Sequence, residues 1–121
     1  MRLALFLLAL ILADCTQVAP DARFARVDGA DLARGERLLS QYQCGSCHRI
    51  PEVPAAVGRT GPPLAGFGMR GYIAGEVPNG PQPLQRWLQD PQSLVPGTTM
   101  PDMGVSPMDA RDMAGYLLSL R

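Results

Sequence analysis

Five consecutive residues of this 121-residue chain combine side chains that can bind a metal or form covalent links. The stretch CGSCH runs from Cys44 to His48, and His48 is the only histidine in the sequence. Two thiols three residues apart, followed directly by an imidazole, suit several kinds of chemistry. The remainder of the sequence decides which of them is favoured.

Three of these interpretations find little support elsewhere in the chain. A structural zinc site needs four ligands, and no second Cys or His pair follows His48. A thioredoxin-like dithiol lies where a strand leads into a helix, but no strand pattern precedes Cys44. A disulfide between Cys44 and Cys47 would close so short a loop that it constrains little of the unfolded chain.

Covalent attachment of haem c explains every position of CGSCH. One helical turn sets Cys44 and Cys47 about one vinyl-to-vinyl span apart, so each can form a thioether to the porphyrin. His48 then lies beneath the ring, where its imidazole can coordinate the iron. The composition agrees, since the chain has 13 Gly and 12 Pro but only three Phe, three Tyr and one Trp. A haem would supply the missing bulk of the core.

The sixth iron ligand decides between electron transfer and ligand binding or catalysis. Because there is no second histidine, the candidates are methionines: Met69, Met100, Met103, Met108 and Met113. Met113 falls on the apolar face of a predicted helix, so we expect it in the core. Met100 is preferred because Pro96 and Pro101 stiffen its loop. Met103 is the second candidate.

The elements that position these residues are predicted to be helices joined by long loops. Asp31 can cap a helix that continues to about Tyr42 and delivers CGSCH at its end. Residues 49–81 are rich in Gly and Pro and predict a long ordered loop around a ligand rather than a sheet. A short helix is predicted around Pro83 to Asp90.

A further loop, PQSLVPGTTMPDMGV, leads into the last predicted helix. Ser106 is its expected N-cap, with Pro107 at the first helical position and Asp109 three residues after the cap. The residues that share its apolar face are Met113, Tyr116, Leu117 and Leu120.

The N-terminal residues predict export. Residues 1–14 have the pattern of a signal peptide, with Arg2 before an apolar run that is shorter than the ~20 residues of a membrane-spanning helix. We therefore expect the periplasm as the location. Residues 15–29 are interpreted as a tether and residues 30–121 as one domain.

Cys15 ends the sequence LADC, which resembles the lipobox of bacterial lipoproteins. The resemblance implies that Cys15 is acylated and anchors the protein at a membrane. Asp14 departs from the pattern, which has a small residue at that position. The alternative is ordinary signal cleavage near Ala13 or Ala19.

The formal net charge is zero, with 11 basic residues, all of them Arg, and 11 acidic ones. Such a chain has no basic field that would attract nucleic acid or anionic lipid. We therefore expect no nucleic-acid partner.

The stretches CGSCH, TGPPLAGFGMR and PGTTMP together resemble class I cytochrome c, the mono-haem, His/Met-ligated bacterial type. The resemblance covers roughly residues 31–121. It implies an all-α cytochrome c fold, with about three main helices and long loops wrapped round one covalently attached haem.

The resemblance also implies roles for particular residues. The Pro62 carbonyl is expected to accept a hydrogen bond from the ligand imidazole, and Arg70 to reach a haem propionate. Trp87 is expected beside the haem, Thr98 near a propionate, and Met100 as the distal ligand. Two further positions, Gly35 and Tyr116, match the place where the terminal helices cross, and Leu39 stands where the family usually has an aromatic residue.

The sequence thus predicts a periplasmic c-type cytochrome that carries single electrons between protein redox partners of a respiratory or oxidative chain. It predicts an electron carrier rather than an enzyme. The alternative is a subunit through which electrons enter a larger oxidase or dehydrogenase. A haem sensor or peroxidase is a third class, and it would require the distal methionine to leave the iron.

Overall fold

The computed structural model describes residues 26–121, so the predicted signal peptide, Cys15 and most of the tether lie outside the described residues. The main elements in chain order are α1 (Leu32–Gln41), β1 (Tyr72–Ile73), β2 (Val77–Pro78), α2 (Pro81–Gln89), α3 (Pro91–Leu94) and α4 (Pro107–Ser119). Two short 3-10 helices span Cys44–Ser46 and Phe67–Met69. The mostly helical fold agrees with the predicted all-α class. Within residues 26–121, no helix has the length and apolar character needed to cross a bilayer.

The two long helices begin at the capping residues that the sequence predicts. The Asp31 side chain accepts a hydrogen bond of 2.9 Å from the Arg34 N–H at the start of α1. Ser106 Oγ accepts a hydrogen bond of 3.2 Å from the Asp109 N–H, and Pro107 is the first residue of α4. Each cap satisfies an amide that has no partner within its own helix.

One prediction about the middle of the chain was wrong, and the start of another helix was predicted two residues late. Helix α2 begins at Pro81 rather than Pro83, because the first helical positions need no N–H donor and therefore accept proline. Residues 91–94, predicted as loop, form α3, whose cap is Asp90, with its carboxylate accepting a 3.1 Å hydrogen bond from the Ser93 N–H.

The long segment 49–81 also contains a hairpin that the sequence did not predict. Tyr72 of β1 pairs with Pro78 of β2, and Ile73 pairs with Val77, in antiparallel register. Strands of two residues carry too little alternation to be detected as a pattern. The hairpin nevertheless positions one side of the functional site described below.

The core is formed mainly where α1 and α2 pack on α4. The predicted face of α4 is confirmed, because Met113, Tyr116 and Leu117 are buried and Leu120 is partly buried. The buried apolar residues contributed by α1 and α2 are Leu38, Leu39, Leu84, Trp87 and Leu88.

A polar network crosses the α1–α4 contact. Arg34 donates to both Asp109 and Asp112, and the Tyr42 hydroxyl donates to Asp109 at 2.7 Å. Asp112 is only 1% exposed and also accepts a 3.1 Å hydrogen bond from the Arg111 guanidinium. The charge of this buried carboxylate is therefore compensated from both helices.

These contacts shift the pKa values of both carboxyl groups. The hydrogen bond from Tyr42, followed by that from Arg34, lowers the pKa of Asp109 despite partial burial. Burial by itself raises the pKa of Asp112, but the hydrogen bonds from Arg34, the Asp31 N–H and Arg111 outweigh it, so the pKa is lowered. The folded protein therefore favours both carboxylates in their charged form.

Candidate functional site

The helices and the long loop enclose a cleft of about 310 Å³. All eight residues that the sequence assigned to a haem site line it: Cys44, Cys47, His48, Pro62, Arg70, Trp87, Thr98 and Met100. They come from four separate parts of the chain: the CGSCH turn, residues 60–70 (TGPPLAGFGMR, called the Gly-Pro loop below), α2 and the loop before α4. The fold brings these distant residues to one site.

The cleft is largely apolar. Seven buried or partly buried hydrophobic side chains complete its interior: Leu39, Leu64, Phe67, Ile73, Leu84, Leu88 and Leu117. Among the described residues, Arg70 is the only Arg, Asp or Glu in the lining. A large flat group with an apolar surface suits such a cleft, because burying it removes apolar area from water.

The CGSCH stretch reaches the cleft through a tight turn. Gln43 takes a left-handed conformation (φ 55°) at the end of α1 and leads into the 3-10 helix. The Cys47 and His48 N–H groups both donate to the Cys44 carbonyl, at 3.2 and 3.0 Å. This turn therefore brings both thiols and the imidazole to the same cleft.

Cys44 and Cys47 are free thiols in the structure. Burial raises the pKa of the Cys44 thiol to about 11, so the group is neutral at physiological pH. A neutral thiol against an apolar cleft differs from a catalytic cysteine, which needs an environment that lowers its pKa. The described residues contain no group of three or more Cys, His, Asp or Glu side chains that could hold a metal ion.

The imidazole of His48 is held in one tautomer. Its Nδ1 lies 2.7 Å from the Pro62 carbonyl oxygen, and a carbonyl can only accept, so Nδ1 carries the proton. The lone pair therefore remains on Nε2, the form in which histidine binds a metal. Gly61 allows the loop to pass this closely, because a Cβ at that position would lie 2.4 Å from His48 Cε1.

The candidate methionine ligands differ in burial and in whether they line the cleft. Met100 is partly buried and, among the methionines of residues 26–121, is the one that lines the cleft. Met113 is 0% exposed within the core, whereas Met69 and Met108 are 69% and 64% exposed. Met103 is 40% exposed and does not belong to the lining.

The loop that carries Met100 is braced by a side chain that the sequence analysis missed. Gln92, in α3, donates to the Thr98 carbonyl at 2.6 Å and accepts from the Gly97 N–H at 3.0 Å. Thr98 Oγ1 in turn accepts from the Met100 N–H at 3.4 Å. The only sequence signal for Gln92 was its position directly after Pro91, which becomes informative once α3 is known to exist.

Arg70 is engaged with the backbone of the Gly-Pro loop. Its guanidinium donates to the Pro63 carbonyl, lies 3.5 Å from the Ala65 carbonyl oxygen and stacks over Phe67 at 5.4 Å from the ring centroid. Asn79, a second residue that the sequence analysis missed, donates to the Arg70 carbonyl at 3.0 Å. The sequence PNG around Asn79 indicated only a turn.

The donor set and the cleft together fit a haem with two thioether links. An imidazole with its lone pair on Nε2, a partly buried thioether sulfur and two thiols surround an apolar space. Imidazole and thioether sulfur hold haem iron in cytochromes c, and the two thiols can bond to the porphyrin.

A match to a known protein family identifies the family of this chain. The family described as Cytochrome c matches residues 32–121, which is most of the chain. The chain belongs to the cytochrome c family. Its cofactor is haem c, and electron transfer is the function that this cytochrome shares with its family.

Two individual proteins with related sequences are also similar to this chain. The cytochrome is 35% identical over 91 residues to cytochrome c oxidase subunit 2 of Alkalihalophilus pseudofirmus, covering 73% of this chain and 25% of the relative. It is 39% identical over 74 residues to the protein of the same name from Bacillus subtilis, covering 59% of this chain and 21% of the relative. The chain thus spans about a quarter or less of the length of these relatives.

Proposed function

We propose that this cytochrome is an exported carrier with one covalently bound haem c, which passes single electrons between protein redox partners of a respiratory or oxidative chain. The observation that carries the proposal is that Cys44, Cys47, His48 and Met100 line the same apolar cleft.

Each of these residues has a distinct role. Cys44 and Cys47 would hold the haem through thioether links, and His48 Nε2 and the Met100 sulfur would bind its iron. When bound, the haem supplies an iron that alternates between Fe(II) and Fe(III). Pro62 fixes the ring orientation of His48 through the hydrogen bond from Nδ1. A Met100 sulfur bound to the iron would leave no position for a substrate or a small ligand, which favours electron transfer over catalysis.

The rim of the cleft indicates the kind of partner. Its exposed lining residues are uncharged: Thr60, Pro62, Tyr72, Ala74, Thr99 and Pro101. An uncharged rim offers a partner no ion pair at the rim residues themselves. Docking at these residues then depends on shape and apolar contact.

We propose that the signal peptide exports the protein and that a lipid on Cys15 anchors it at a membrane. The test is a Cys15→Ser variant of the full chain, followed by separation of soluble and membrane fractions. The wild type should be found with membranes and the variant in the soluble fraction. An unchanged distribution would contradict the lipid anchor and leave the redox function untouched.

A second candidate is supported by the relatives. Because both are named cytochrome c oxidase subunit 2, this cytochrome could be the part of an oxidase through which electrons enter. The same haem site would serve either function. Purification in mild detergent distinguishes them, since a subunit is recovered in fixed ratio with its complex and a carrier is recovered mainly alone.

Acid-acetone extraction tests the covalent link. Haem should remain on the wild-type polypeptide, because thioether bonds survive the treatment. A Cys44→Ala, Cys47→Ala double variant should release any haem that it binds. Release of free haem from the wild type would contradict the proposed attachment.

A further inference from the structure

We propose that Arg70 is a positioning residue for the His48 imidazole and acts through the Pro62–Pro63 segment of the Gly-Pro loop. The inference rests on the proposed function, because it takes His48 as an iron ligand. It assigns to Arg70 a task within the protein itself, in addition to closing one side of the cleft.

The contacts form a continuous path from the guanidinium to the imidazole. Arg70 donates to the carbonyl of Pro63, and His48 Nδ1 donates to the carbonyl of Pro62 at 2.7 Å. These two carbonyls belong to consecutive residues. By holding the Pro63 carbonyl, Arg70 therefore restrains the neighbouring peptide unit, whose oxygen His48 needs.

This part of the loop has few other means of holding its position. Pro62 and Pro63 have no N–H, so neither can anchor the loop by donating a backbone hydrogen bond. The neighbouring anchors are the Gly61 N–H to the Cys47 carbonyl and the Leu64 N–H to the Arg49 carbonyl, each at 2.8 Å. Between these two anchors, the carbonyl of Pro63 is held by Arg70.

Arg70 is itself fixed from two directions. Its guanidinium stacks on Phe67, and Asn79 Nδ2 donates to the carbonyls of Phe67 and Arg70, at 3.2 and 3.0 Å. Asn79 directly follows β2 of the hairpin, and its own N–H donates to the Gly71 carbonyl at 2.9 Å. The hairpin thus holds Arg70, and Arg70 holds the loop that orients His48.

The planar shape of the guanidinium matters for this role. It directs several N–H donors from one rigid group, so it can reach the Pro63 carbonyl and remain near that of Ala65. A lysine keeps the positive charge but is a flexible single ammonium. Arg70→Lys therefore separates the effect of geometry from that of charge.

The test measures hydrogen exchange of the His48 Nδ1 proton by NMR in the full-length holoprotein. Arg70→Lys and Arg70→Gln should each accelerate the exchange about tenfold or more, because neither a flexible ammonium nor a neutral amide holds the loop as the rigid guanidinium does. The matched control is exposed Arg37, whose Lys and Gln variants should exchange like the wild type. Visible absorption checks that each variant retains its haem.

An unchanged exchange rate in folded, haem-bearing Arg70 variants would overturn the proposal. In that case, a new pH dependence of the reduction potential in Arg70→Gln would assign the side chain to a haem propionate instead. Failure of the proposed function is seen separately, because the wild-type spectrum would then lack an iron-bound His48.

A second variant keeps the inference testable if Arg70 substitutions prevent folding. Asn79→Ala removes the hydrogen bonds that hold the Arg70 backbone and leaves the guanidinium in place. It should accelerate the exchange of the His48 Nδ1 proton in the same direction but by a smaller factor. No acceleration in a folded Asn79→Ala protein would contradict the path from the hairpin to the imidazole.

Discussion

Gly35 of α1 lies directly against the backbone of Asp112 in α4. A Cβ placed on Gly35 would come within 2.1 Å of the Asp112 carbonyl oxygen and 3.0 Å of Tyr116 Cβ. The two helices therefore cross at a distance that only glycine permits on the α1 side. This crossing joins the helix that leads into CGSCH to the helix that provides Leu117 to the cleft.

Gly35→Ala should destabilise the protein. Replacing glycine by alanine inside a helix normally stabilises by about 0.5–1 kcal/mol. Here the clash with the Asp112 backbone outweighs that gain, so we expect a net loss of about 1–3 kcal/mol in the free energy of unfolding, as in overpacked cores. Urea unfolding of the holoprotein measures it.

Gly71→Ala is the matched control, because a Cβ there meets nothing within 4 Å. Its free energy of unfolding should stay within about 0.5 kcal/mol of the wild type. Equal stability of the Gly35→Ala and Gly71→Ala proteins would mean that the helices do not cross this closely.

The network at the same crossing predicts acid sensitivity. The pKa values of Asp109 and Asp112 are lower in the folded protein than their ordinary value of about 3.9. Both carboxylates therefore contribute stability that is fully present above the ordinary pKa and is lost as the pH falls through the lower folded values. The free energy of unfolding should be nearly constant from about pH 6 to 5 and decrease below pH 4.

The Asp112→Asn variant tests whether the Asp112 carboxylate causes the loss of stability in acid. It should lower the free energy of unfolding at pH 6 by about 2 kcal/mol, because a neutral amide offers the Arg donors only one oxygen, which accepts more weakly than a carboxylate. The free energy of unfolding of this variant should also decrease less steeply between pH 5 and 3. The exposed Asp28→Asn variant should follow the wild-type curve, and an equally steep acid loss in Asp112→Asn would contradict the assignment.

Gln92→Ala should loosen the loop that carries Met100. Its two hydrogen bonds to Gly97 and Thr98 contribute about 1 kcal/mol each. External imidazole must displace Met100 to reach the iron, so its binding to the oxidised protein should become about five- to tenfold faster. Stopped-flow absorbance measures the rate. Gln82→Ala, at an exposed position of α2, should leave the rate of imidazole binding unchanged. An equal increase in this control would contradict the proposed role of Gln92.

The local parts of this structure could be predicted from the sequence because their causes are local. Asp31, Ser106 and Pro107 act on amides within one helical turn, so the starts of α1 and α4 were correct. The CGSCH spacing likewise depends on one turn of the chain. The resemblance to class I cytochrome c then indicated the Pro62 carbonyl as the partner of His48, and the structure has this contact.

The parts that could not be predicted depend on contacts between distant residues. Arg34 meets Asp112 across 78 positions of the chain, and no local pattern indicates that pairing. Asn79 bonds to Arg70 only because a hairpin of two-residue strands brings it back. The bracing of Met100 by Gln92 requires α3, which starts with a proline and has only four residues. Such roles become visible only after folding has placed the segments side by side.

Carbon monoxide binding to the reduced protein tests the central claim, that Met100 closes the iron of an electron carrier. The wild type and Met103→Ala should not bind carbon monoxide rapidly at neutral pH. Met100→Ala should bind it and should have a lower reduction potential, because a thioether stabilises Fe(II) more than water does. Rapid binding by the wild type, or opening of the iron by Met103→Ala instead of Met100→Ala, would contradict the claim.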